Sequence, residues 1–171
     1  MSFVTTPRVK APIVVLLVLV VHTTLLTSFR FDGVTPDAML LLTVAAGIAA
    51  GPTLGAVMGF ACGLGIDLFL QTPLGLSALV FSLVGYAVGS VQTGILRSSW
   101  WIPIFTALVA SAAGEVLYAL VGGVIGQPNL VTTRLPLIAV TVGLMNAVLS
   151  PVALRLVRWA LHAADSGAAY R

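Results

Sequence analysis

The chain reads as six apolar segments separated by short polar or turn-forming stretches: 12–27, 37–50, 52–70, 74–94, 102–125 and 136–157. About 20 apolar residues cross a bilayer as a helix, so each segment is a spanning-helix candidate. The second is short at about 1.5 Å rise per residue. It is expected either to be shielded by protein or to run past that boundary. Gly51-Pro52 makes a tight turn between the second and third segments, and Gln71-Thr72-Pro73 makes the next. Pro36-Asp37 opens the second segment, with Asp37 placed to cap the helix or charge its first turn. Pro151 lies inside the sixth segment, where proline bends a helix. The flank after the first segment, Ser28-Phe29-Arg30-Phe31-Asp32, has no small-x-small cleavage pattern, so that segment reads as a retained anchor.

Composition strengthens this reading. The chain has 171 residues, 59% hydrophobic and 8% charged, whereas a soluble domain carries roughly 25% charge. Mean hydropathy is +1.12. An all-α integral membrane protein with six transmembrane helices follows: a cytoplasmic segment 1–11, a membrane domain 12–159 and a cytoplasmic tail 160–171. The net charge of +3 does not point to nucleic acid. Its distribution sets orientation. With six spans, Arg8, Lys10, Arg97, Arg155, Arg158 and Arg171 share one side, and Arg30 and Arg134 lie on the other. The basic side faces the cytoplasm, so both termini are expected there. Trp100-Trp101 and Trp159 mark interfaces. Cys62 is the single cysteine, which excludes an intrachain disulfide, and it reads as a small packing residue.

Two features carry candidate chemistry. Glycines recur every fourth residue at Gly47, Gly51, Gly55, Gly59 and Gly63, and Gly85 and Gly89 repeat the spacing in the fourth segment. Residues four apart share a helix face, and a row of small residues lets another backbone approach. The other feature is a set of polar groups inside apolar segments: Asp37, Asp67, Glu115 and Asn146, with Arg134 in a flanking loop. Asp67 lies 15 residues after Pro52 and Glu115 lies 14 after Trp101, which puts both roughly 21–23 Å from the cytoplasmic end. An arginine reaching inward would pair with either acid. An ion pair or a capped helix end is the favoured reading over an ion or substrate site. His22 is read as bonded to a neighbouring helix rather than as a proton relay. Metalloprotease, P-loop and nucleophile-elbow patterns are missing, as are Cys/His runs at metal-ligand spacing. The expectation is a protein with no catalytic residue, cofactor or metal.

Pro36-Asp37, then Gly51, Gly55, Gly59-Phe60, Gly63-Leu64 and Asp67-Leu68, then Leu74-Gly75, Ala78-Leu79 and Gly85-Tyr86, resemble the ordered pattern of the MreD family. The resemblance is strongest over 36–89. It implies a non-catalytic scaffold of the bacterial rod-shape (elongation) machinery in the cytoplasmic membrane. Such proteins bind MreC and act with MreB, RodA and its penicillin-binding transpeptidase in lateral peptidoglycan synthesis. It also implies a fold similar to the substrate-binding subunits of ECF-type (energy-coupling-factor) transporters. A solute-binding subunit of an ECF-type vitamin transporter is the alternative. The glycine row either packs the bundle or receives the MreC helix.

Overall fold

A computed structural model describes residues 7–24, 33–70, 72–94 and 101–161. Six α-helices form one bundle: α1 Pro7–Thr24, α2 Ala38–Ala50, α3 Pro52–Asp67, α4 Leu76–Gly94, α5 Trp101–Val124 and α6 Leu135–Leu161. A 3₁₀ turn, Pro128–Leu130, sits between α5 and α6. Arg30, Arg97, Trp100, His162 and Arg171 lie outside the described residues, so their places in the charge count are not tested.

The expected elements are all present, with shifted ends. α1 starts at Pro7 rather than Pro12, because a proline at the first helical position has a suitable φ and no N–H to satisfy. α3 stops at Asp67 rather than at residue 70. α2 starts after Asp37, whose Oδ1 accepts from Met39 N–H at 3.0 Å and Leu40 N–H at 2.9 Å. Those bonds satisfy two of the donors that a helix N-terminus leaves open. α2 ends at Gly51, whose φ of +84° turns the chain straight into Pro52 at the start of α3.

The centre of the bundle is α2, not the glycine-rich helix. Every residue from Met39 to Ile48 is buried, and α2 touches each of the other five helices. A helix apolar on all sides belongs in a protein core or in a membrane, and here the other five helices enclose it, which accounts for its shortness. The outer helices carry apolar side chains on both faces. Leu16 and Leu17 on α1, Val57 and Phe60 on α3, Leu83 on α4, Phe105 on α5 and Val148 on α6 all point outward and are exposed. Two helices, Trp101–Val124 and Leu135–Ala160, are long and apolar enough to cross a membrane, and the other apolar helices are shorter.

Candidate functional site: the glycine seam and the acidic end

The glycine row is buried against α4. A Cβ on Gly55 would strike the Gly85 carbonyl, one on Gly59 the Phe81 carbonyl, and one on Gly63 the Ser77–Ala78 backbone. From the other side, a Cβ on Gly85 would strike Gly55, and one on Gly89 the Gly51–Pro52 backbone. The two rows thus interlock and bring the two backbones into direct contact, the arrangement that small-xxx-small spacing permits. Gly47 joins from the end of α2, facing Gly85 and Gly89. Gly51 differs from the expectation. A Cβ there would meet nothing within 4 Å, and the residue is glycine because of its positive φ. With α4 in the groove, no partner helix can occupy it.

This seam ends on Asp67. The carboxylate is 3% exposed and accepts three backbone N–H groups, from Gly75 at 2.8 Å, Ser77 at 3.1 Å and Ala78 at 3.3 Å. Asp67 therefore caps α4 from the end of α3, meeting open N–H donors and the positive end of the helix dipole. Gly63 lies one turn before it and lets Ser77 and Ala78 come close. The two features are one device. Arg134 is exposed and pairs with neither acid, contrary to the inward-reaching arginine expected from its side of the chain. Backbone donors have already satisfied Asp67.

The other polar groups gather at the same end, where α1, α3 and α5 finish and α2, α4 and α6 begin. Asn146 is fully buried and donates from Nδ2 to the Asp37 carbonyl and to Ser111 Oγ, both at 3.0 Å. It joins the start of α2 to α5 and α6. Its Oδ1 is buried with no partner. Beside it lies a cavity of about 290 Å³ whose lining includes His22, Asp37, Ser77, Glu115 and Tyr118. Tyr118 donates to Thr72 Oγ1 at 3.3 Å. Glu115 has neither an ion pair nor a hydrogen bond among the described residues, and Arg30, which lies outside them, is not tested as its partner. His22 Nδ1 is also buried without a partner, so the bond expected for the histidine of the first segment is not made through that nitrogen among the described residues.

At the opposite end, Lys10 Nζ lies 4.9 Å above the Trp159 ring, a cation–π contact tying the start of α1 to the end of α6. Arg155 and Arg158 are exposed there. Nothing in the sequence singled out Ser111, Ser77 or the Gln92–Thr106 pair, whose side chains bond at 2.9 Å. A lone serine or glutamine in an apolar run carries no spacing signal. Among the described residues no group of three His, Cys, Asp or Glu is placed to hold a metal.

Searches of curated proteins and of solved structures returned no match. The family model for rod shape-determining protein MreD matches residues 5–159. That span contains the glycine seam, the Asp67 cap and all the polar groups of the acidic end, and the chain belongs to the MreD family, whose members are membrane proteins of rod-shape determination.

Proposed function

We propose that this chain is a non-catalytic membrane scaffold that binds MreC and supports lateral peptidoglycan synthesis with MreB, RodA and its transpeptidase partner. All six helices span the cytoplasmic membrane and both termini lie in the cytoplasm. The acidic end then faces outward, because Arg155, Arg158 and Lys10 lie at the other end. Family membership supports the cell-shape role. One observation carries the scaffold reading: the glycines and Asp67 are used within the bundle, leaving a rigid body with apolar outer faces. Lipid tails give helices no hydrophobic reason to associate, so a membrane partner must be held by close packing on such a face. The MreC helix docks on that outer surface, not in the glycine groove. Family membership gives no support to the transport-subunit alternative.

The test is co-purification in mild detergent. MreC is recovered with the wild-type protein, and leucine-to-tryptophan substitutions scanned over the exposed faces of α1, α5 and α6 weaken recovery on one face only. Failure to recover MreC with wild-type protein rejects the partner assignment.

A further inference from the structure

The cavity at the acidic end breaks the pattern of the bundle. Asp67 is fully bonded, but the cavity groups are not. Asp37 uses Oδ1 on the α2 N-terminus, while Oδ2 receives no hydrogen bond among the described residues. Glu115 likewise receives none among the described residues, and no described lysine or arginine forms an ion pair with either acid. The two carboxyl groups lie within electrostatic range of one another, and His22 lies within range of Asp37. Two acids with open lone pairs, next to an imidazole nitrogen with no partner, are costly among apolar helices. A cation that enters the cavity removes that cost.

The side chains define what kind of cation fits. A metal ion lacks its ligands, since no group of three His, Cys, Asp or Glu is suitably placed among the described residues. An ammonium or guanidinium group needs less: carboxylate acceptors, plus a hydroxyl or imidazole nitrogen for the remaining N–H groups. The space of about 290 Å³ matches roughly ten waters at about 30 Å³ each, enough for an alkylamine or an arginine-sized group. Gly33 and Leu70, at the end of the bundle, are among the residues that line the cavity. We propose that this cavity binds one organic cation, an alkylammonium or guanidinium group, with Glu115 and the open oxygen of Asp37 as its acceptors. The cation is either a free small amine or a basic side chain presented by a partner polypeptide, and the chemistry is the same for both. The inference is independent of the scaffold reading.

The full-length protein in mild detergent is titrated with agmatine, with putrescine and with a short arginine-containing peptide amide, using equimolar sodium chloride as the control. Unfolding is followed by tryptophan fluorescence. A saturable rise in Tm with an amine or the peptide, absent with salt, is expected. Half-saturation moves by about tenfold or more in Glu115→Gln, the loss of a charge-assisted bond. Wild-type protein supplies a second readout: the same ligand slows labelling of Glu115 by a hydrophobic carbodiimide, measured by mass spectrometry. Saturation by agmatine or putrescine identifies a free amine as the source, and saturation by the peptide alone identifies a partner's side chain. The proposal is overturned by no saturable shift, by an equal shift in Glu115→Gln, or by unprotected labelling. It is equally overturned if binding is seen only after Arg30→Gln, because the chain's own arginine would then fill the site.

Discussion

Asp67 and Glu115 are two acids at a similar distance along α3 and α5, two parallel helices that both pack on α2 and α4, yet their surroundings are opposite. Asp67 ends its helix, and the next helix starts just across a short turn with three N–H groups aimed at it. Glu115 sits inside α5 with another nine residues of helix after it, accepts no backbone N–H among the described residues, and lines the cavity. Burial alone therefore does not define the role of an acid in this fold. What matters is whether backbone donors are within reach. A carboxylate that closes a hairpin is part of the framework, whereas one midway along a helix must find a side chain, a ligand or a proton.

Substitutions can break or sharpen that contrast. The largest effect is expected at the seam that brings the α4 N-terminus to Asp67. Gly59→Leu drives a side chain into the Phe81 carbonyl, which cannot swing aside as a side chain would, and is expected to cost about 3 kcal/mol or more. Size-exclusion profile and thermal unfolding in detergent read the loss, and a native-like profile at unchanged Tm would show that the seam is loose. Next comes Asp67→Ala, which strands three N–H groups at a buried helix start and is expected to cost about 2–3 kcal/mol. Asp67→Asn keeps one oxygen and should recover roughly half of that in the same unfolding measurement. Glu115→Gln comes last. With no bond to lose among the described residues, its stability should stay within about 0.5 kcal/mol of wild type, since the amide replaces an acid that no described group pairs. A loss as large as that of Asp67→Ala would make Glu115 a framework residue and erase the distinction.

Much of this was legible in the sequence. Six apolar blocks and their turns gave the six helices, and the Gly51-Pro52 turn was readable because only glycine takes its φ of +84° easily. Pairing of the glycine rows was half legible: Gly55, Gly59 and Gly63 announced a close approach, and Gly85 and Gly89 in the next segment supplied the matching row. The central place of α2 was not readable. Where lipid and core are both apolar, hydrophobicity does not separate an inner helix from an outer one, and Met39 or Leu42 looks like Leu16 or Val148. The Asp67 cap was missed as a specific contact because its partners are eight to eleven residues away, beyond the local capping distances that a sequence displays. Arg134 is not the partner of Asp67 because backbone N–H groups compete for that carboxylate and leave no mark in the sequence, while Arg30 lies outside the described residues.

Enclosure of α2 on all sides has a consequence for biogenesis. Its 13 residues reach about 20 Å, well short of a hydrocarbon layer of about 30 Å. In the proposed six-span topology, α2 emerging alone from the translocon would strain the bilayer around it. Joined to α3 by a single turn residue, it enters as half of a hairpin, and its remaining sides stay bare until α5 and α6 have been synthesised. In that topology the first half of the chain waits for the last, and a ribosome that stalls before residue 135 would leave behind a fragment whose innermost helix still faces lipid.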